Sequence, residues 1–351
     1  MRHALLFVVA LAVGCGGGGK PAESPDAPTT APPRLPPSMG GPGGPKTDTD
    51  APASPADAPK SDEVAKGAKA LEGGDAAGAK GLAMSALKKN PKDPEALALL
   101  GMSLEALGDK PGAEKSYKDA LKIRPDLEAA SVNLSALLLD QKKWDDAEKA
   151  CRGGLSKHKE NPLLHLNLAM ALSGKKDQAG ATSELDEAAR LAPTQPIVFI
   201  TYADRLAEWN QPDAAVAKLK TARGLAEGDV AMLATIGHSF LVLRAVAECI
   251  PTFDKAIAIK DAAELRTERG LCKLGAKDKA GALADFQAAV AKEPNYALAH
   301  YWTGALYAQA GKPKEALDEL ATYLKLDPNG AKAPLAKDLQ AKIKAGGPGK
   351  K

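Results

Sequence analysis

From Lys60 onward the chain repeats itself with a period of 34 residues, and this constrains its fold more than any other property of the sequence. Eight successive units begin at Lys60, Pro94, Glu128, Pro162, Pro196, Val230, Ala263 and Ala297, every step being 34 except one of 33. The eighth residue of each unit is small: Gly67, Gly101, Ser135, Ala169, Ala203, Gly237, Gly270 and Gly304. So is the twentieth: Ala79, Ala113, Ala147, Ala181, Ala215, Cys249, Ala282 and Ala316. The twenty-seventh is Ala86, Ala120, Gly154, Ala188, Ala222, Ala256 and Ala289 before Tyr323 interrupts the column. Two helices approach closely only where bulky side chains are missing from their crossing points. The columns therefore predict one tight helical hairpin per unit, with Leu100, Leu134, Leu168, Tyr117, Phe253 and Phe286 filling the space around each crossing. Aromatics are only 4% of the chain, so Ala and Leu, both helix-favouring, carry its apolar fraction.

Prolines punctuate the same period. Pro91, Pro125, Pro193, Pro294 and Pro328 close units, since proline stops a helix and fits just beyond its end. Asp93-Pro94, Asn161-Pro162 and Gln195-Pro196 open them, the polar residue capping and the proline occupying the first turn.

These columns resemble the tetratricopeptide repeat, a helix–turn–helix unit of 34 residues with this small-residue pattern. The resemblance covers residues 60–330. It implies an all-α, right-handed superhelical solenoid of about eight repeats, and residues 331–351 add a capping helix, read from about Pro334 to Ala345, and a short tail. The chain departs from the family in lacking tryptophan at position four of any unit. The closing proline is replaced by Lys159, Glu227 and Asp261 in units three, five and six, and Pro251 falls inside a helix, where a kink is possible.

The resemblance also implies where a ligand would lie. In this family the first helix of each pair lines an inner groove. Position six holds Asn133 and Asn167, then Thr201 and Thr235, a polar row able to bond a peptide backbone with little regard for its sequence. Family members that hold extended peptides on an asparagine ladder implicate Asn133 and Asn167 in particular. Position nine contributes Met102, Met170, Asp204 and His238; the methionines are either an adaptable floor or ordinary core. Tyr301 and Trp302 of the last unit are either an aromatic anchor or packing against the cap. Positions two, five, six and nine contain no Lys or Arg, which argues against a clamp for a peptide carboxylate.

The first residues read as an address. Met1-Arg2-His3 precedes an apolar run from Ala4 to Gly14, too short for a bilayer span of roughly 20 residues. Ala12-Val13-Gly14-Cys15 resembles a bacterial lipoprotein lipobox, which implies a signal peptide over residues 1–14 and lipidation at Cys15; Ala12 stands where the family usually has Leu. An ordinary cleaved signal is the alternative. Gly16 in place of Asp points, through the same resemblance, to the outer membrane of a Gram-negative cell, with the chain facing the periplasm. Lipid chains contribute about 0.8 kcal/mol per buried methylene, so several chains anchor stably. Residues 15–59 follow as a tether: twelve prolines and eight glycines over 16–59, with few large apolar residues, cannot offset the entropy of ordering.

Catalysis has no visible carrier. His158, His165, His238 and His300 lack ligand spacing, no serine lies in a nucleophile elbow, and no glycine loop precedes a helix in the repeats. No enzyme activity, cofactor or metal is expected. A net charge of +3 without a concentrated basic face argues against nucleic acid as a partner. Cys151, Cys249 and Cys272 are an odd set without paired spacing; buried small positions and a Cys249–Cys272 disulfide both fit.

The reading that results is a lipid-anchored scaffold that binds protein or extended peptide in its groove and assembles an envelope complex, a pilotin-like role being its narrower form. A structural spacer or self-assembling array without a dedicated ligand is the alternative, and a non-catalytic subunit of a cell-wall enzyme stands behind both.

Overall fold

The computed structural model describes residues Ser61–Gly346; the leader, Cys15, the tether and the last five residues lie outside them. Among the described residues all regular structure is helical, in seventeen α-helices. They form two compact units divided between Thr194 and Gln195.

The first unit contains four hairpins: α1 (Asp62–Glu72) with α2 (Ala76–Lys89), α3 (Pro94–Ala106) with α4 (Lys110–Ile123), α5 (Glu128–Asp140) with α6 (Trp144–Leu155), and α7 (Pro162–Gly174) with α8 (Gln178–Leu191). The second contains α9 (Pro196–Glu208) with α10 (Pro212–Leu225), α11 (Val230–Val242) with α12 (Val246–Ile259), α13 (Ala263–Gly275) with α14 (Lys279–Lys292), and α15 (Ala297–Gln309) with α16 (Pro313–Leu326), closed by α17 (Ala333–Lys344). From Pro94 on, each first helix begins on the residue at which its sequence unit begins. Pro251 lies within α12, which runs on through it.

Local signals explain where the helices start. Asp93 Oδ1 accepts from the amides of Glu95 (3.0 Å) and Ala96 (3.1 Å), and Asn161 Oδ1 from Leu164 (2.8 Å), as the Asp-Pro and Asn-Pro pairs predict. Gln195 makes no such bond, its longer side chain fitting the cap less well. The second helices carry a cap that the period alone did not reveal. Asp75, Asp109, Asp177 and Asp278 each accept from the amide of a glycine three residues on, Gly78, Gly112, Gly180 and Gly281. A Cβ on any of these glycines would run into the capping carboxylate.

The turn inside every hairpin uses one geometry. Its middle residue has positive φ: Gly74, Gly108, Lys142, Lys176, Asn210, Arg244, Lys277 and Gly311. The next amide reaches back to a carbonyl in the last turn of the first helix, as Lys143 does to Leu138 and Asp177 to Leu172, both at 2.9 Å. This is the Schellman arrangement, which satisfies carbonyls that a helix end would otherwise leave open.

Packing explains the small columns. Position twenty is fully buried from Ala79 to Ala316, and position eight faces position twenty-four of the same hairpin. Where position eight is glycine the facing residue is large: a Cβ on Gly101 would lie 2.6 Å from Tyr117, on Gly237 2.7 Å from Phe253, and on Gly270 2.5 Å from Phe286. Where position eight is Ser135, Ala169 or Ala203, position twenty-four is Cys151, Leu185 or Leu219. Two glycines depart from this contrast: Leu99 of the next hairpin fills the space of Gly67, and Gly304 faces Leu320, the residue type that stands at position twenty-four in the units of Ala169 and Ala203.

Within each unit the first helices of successive hairpins pack on one another: α1 on α3, α3 on α5 and α5 on α7, then α9 on α11, α11 on α13 and α13 on α15. The second helices are not closely paired in this way. The first helices thus form the inner layer of each unit and the second helices the outer one.

The candidate binding face

The inner layer is where the sequence places a ligand, and burial redistributes the residues expected there. Asn133, Asn167 and Thr201 are only 2%, 0% and 1% exposed. The Asn167 amide donates to Ser135 Oγ at 2.9 Å and to the Val132 carbonyl at 3.3 Å, tying α7 to α5. The expectation of an open asparagine ladder is therefore corrected: Asn167 lies in the joint between α5 and α7, and Asn133 and Thr201 are buried on α5 and α9. In the second unit Thr235 is exposed, its hydroxyl donating to the Ala231 carbonyl at 3.0 Å within its own helix.

Met102 and Met170 are half-buried and lie against the apolar cluster built by Ala98, Tyr117, Leu134 and Leu138. Core packing, one of the two roles open to them, is present in both. Asp204 is half-buried on α9. His238 on α11 is half-buried too, and its Nδ1 stands 3.4 Å from Glu268 Oε2 on α13. That carboxylate raises the imidazole pKa above its ordinary value, against the opposing effect of burial.

Tyr301 and Trp302 do not form an exposed anchor. Both are buried, with Tyr301 edge-on to Trp302 at 5.1 Å and to Tyr323 at 5.5 Å, and Trp302 stacked on Phe286 at 6.2 Å. Ala333 and Ala336 of α17 close this cluster, and Lys332 lies 5.6 Å above the Trp302 ring. Cap packing, the other reading of these residues, is what the structure shows. Tyr323, the break in the small column, completes the same terminal core.

Other polar constellations escaped the sequence reading. In two hairpins position four, where the family has tryptophan, holds a histidine bound at both nitrogens. His165 Nδ1 meets Glu184 Oε2 at 2.6 Å and Nε2 meets the Lys159 carbonyl at 2.9 Å; His300 repeats this with Glu319 at 2.5 Å and Pro294 at 2.9 Å. The recurrence of His at position four with Glu at position twenty-three was the available signal. On α13, Arg269 holds Asp285 through two bonds, 2.9 and 2.5 Å, and reaches Asp254 on α12 at 2.7 Å; Lys273 also meets Asp285, at 2.8 Å. Burial pushes the Asp285 pKa up, but Arg269 and Lys273 outweigh it and hold the carboxyl below the usual range.

Cys249 on α12 and Cys272 on α13 are joined in a disulfide with Cα atoms 5.9 Å apart, which decides between the two readings of these cysteines. Cys151 is buried and outside any disulfide, and burial pushes its thiol up to about 12. Among the described residues no group of His, Cys, Asp or Glu is placed to hold a metal ion, and no helix is long and apolar enough to cross a membrane.

Stacked helical hairpins whose first helices form an inner layer within each unit are the build of a protein–protein interaction scaffold. The tetratricopeptide-repeat family profile matches residues 64–128, 133–196 and 267–331, and the chain belongs to that family. Serine/threonine-protein phosphatase T of Trypanosoma brucei brucei is 32% identical over 120 residues, which are 34% of this chain and 24% of the phosphatase. The likeness reflects that protein's repeat region, and the chain spans about a quarter of its length. Among solved structures, yeast Tom70 superposes with a TM-score of 0.54 at 14% identity, covering 81% of this chain and 64% of that one. YrrB, described as a tetratricopeptide-repeat protein with an unusual peptide-binding site, gives 0.41 at 20% identity, covering 54% and 99%. At these identities the structural likeness concerns the fold.

Proposed function

We propose that this chain is a membrane-anchored scaffold that binds a protein or an extended peptide along its inner helix layer and so assembles an envelope complex. The repeat array carries this reading, since an extended inner layer offers a surface to a partner and no constellation to a reaction. Cys15 carries the lipid, and residues 15–59 hold the repeats away from an outer membrane on its periplasmic side. The Cys249–Cys272 disulfide supports the location, because such bonds persist in oxidising compartments. A pilotin-like role in assembling a secretion or pilus pore is the narrower form of the same proposal.

Burial shifts the proposed contact set. Thr235, His238 and Asp204 remain accessible on the inner helices of the second unit, whereas Asn133 and Asn167 support the stack. Affinity capture from a membrane extract tests this directly. Wild-type chain should recover a specific partner that the Thr235→Ala plus His238→Ala variant loses, while Cys15→Ser should leave the membrane fraction and keep the partner. Retention of every partner by the double variant would remove these residues from the binding face. Concentration-dependent polymers without any captured partner would favour the spacer.

A further inference from the structure

We propose that the Cys249–Cys272 disulfide is an oxidation-dependent lock on the joint between α12 and α13, which keeps the last two hairpins and the cap fixed on the hairpin before them. The joint is built differently from its neighbours. Elsewhere in this unit the link between hairpins has four residues closed by a backbone bond, as in Asp229 to Ala226 (3.1 Å) and Tyr296 to Glu293 (3.0 Å). Between α12 and α13 only Lys260, Asp261 and Ala262 intervene, and no such bond closes the link. This is the one unit with 33 residues, so the link has lost the residue that would make the turn.

The preceding turn of α12 is weakened as well. Pro251 has no amide hydrogen, so the Ala247 carbonyl lacks its helical partner two residues before Cys249. Equivalent positions at the joint before hold Ala215 and Ser239, and at the joint after hold Ala282 and Leu306. A covalent bond is thus added here to the packing of α12 on α13, and the neighbouring joints have packing without one. Beside the packing of α12 on α13, the other side-chain ties here are ionic and partly solvated: Arg269 to Asp254 at 2.7 Å, His238 to Glu268 at 3.4 Å, and Asp261 of the link to Arg266 at 2.6 Å and to Lys292 at 3.0 Å. Such contacts contribute little without a fixed geometry behind them.

Both sulfurs are fully buried, so a reductant reaches them only when the joint opens. A dithiol then supplies two electrons and two protons. The sulfur–sulfur bond breaks to two thiols as the dithiol closes to its own disulfide. The lock is independent of what the inner face binds, because it concerns the stiffness of the array alone.

Hydrogen exchange on the full chain tests it in three states: oxidised, reduced with dithiothreitol, and the Cys249→Ala plus Cys272→Ser variant. That variant copies the Ala215 and Ser239 pair of the preceding joint, and it reads the unlocked state should dithiothreitol fail to reach the sulfurs. Amides of α13 and of the second half of α12 should exchange at least tenfold faster in the reduced chain or the variant, while α3 to α8 stay unchanged. Rates within twofold in all three states would overturn the lock, as would three titratable thiols among Cys151, Cys249 and Cys272 in the unreduced, unfolded chain.

Discussion

Gly101 on α3 and Tyr117 on α4 occupy one volume: the tyrosine ring lies where a Cβ on the glycine would come to 2.6 Å. A Gly101→Ala substitution gains helix propensity of about 1 kcal/mol and meets overpacking of about 1–3 kcal/mol. The variant should lose about 1 kcal/mol in a denaturant melt. Gly81 in α2 has open space around its Cβ position, so Gly81→Ala should gain roughly 0.5–1 kcal/mol. The opposite signs test the packing account against simple propensity. Equal gains at both sites would refute it.

The left-handed turn residues give a second contrast. Lys142, Lys176 and Lys277 adopt φ of 57°, 68° and 63°, a region costly to residues with a Cβ. Replacing any of them with Gly should stabilise the chain by up to about 1 kcal/mol, whereas Gly108→Ala, at φ 84°, should destabilise it by a similar amount. Thermal unfolding of the four variants reads this directly.

His238 carries a pH dependence whose sign is fixed by its partner. Its folded pKa is raised by Glu268, so the stability linked to this pair is complete below the unfolded value of about 6.5 and declines as pH rises through the folded pKa. Proton NMR of the ring should show a midpoint above that of an unfolded-chain histidine, and Glu268→Gln should bring the midpoint down. An unchanged midpoint in the variant would assign the shift elsewhere.

Asn167 should behave as a structural residue. Asn167→Ala removes buried bonds to Ser135 and Val132 and should cost about 1–3 kcal/mol in chemical unfolding. At a temperature well below the melt, its partner capture should equal that of wild type. Loss of the partner with unchanged stability would restore Asn167 to the binding face.

How far the sequence reached follows from what each signal depends on. Except at Gly67, the small residues at positions eight and twenty act within one hairpin, so their meaning survives in a linear reading, and the helices follow it. Position six is different. Whether Asn167 meets solvent depends on how closely it packs against α5 of the hairpin before it, and hairpins of equal period pack differently. Tyr301 and Trp302 are covered by α17, which lies outside the period altogether. The His165–Glu184 and His300–Glu319 pairs were legible only by comparing two columns at once. The Asp caps of the second helices are written as Asp-x-x-Gly in units one, two, four and seven, a local signal independent of the apolar and small columns.

The complementary volumes at positions eight and twenty-four bear on how such an array can be rearranged. A hairpin such as α3–α4, α11–α12 or α13–α14 carries both halves of its fit, glycine and ring, within one contiguous segment. Duplication, deletion or shuffling of that whole segment moves the fit intact, whereas exchange of a single helix between hairpins separates ring from glycine. The natural cut points of this chain therefore lie in the links between hairpins, with two excepted: the link after α2, because Gly67 is fitted by a leucine of the hairpin after it, and the link between α12 and α13, where a cut would separate Cys249 from Cys272.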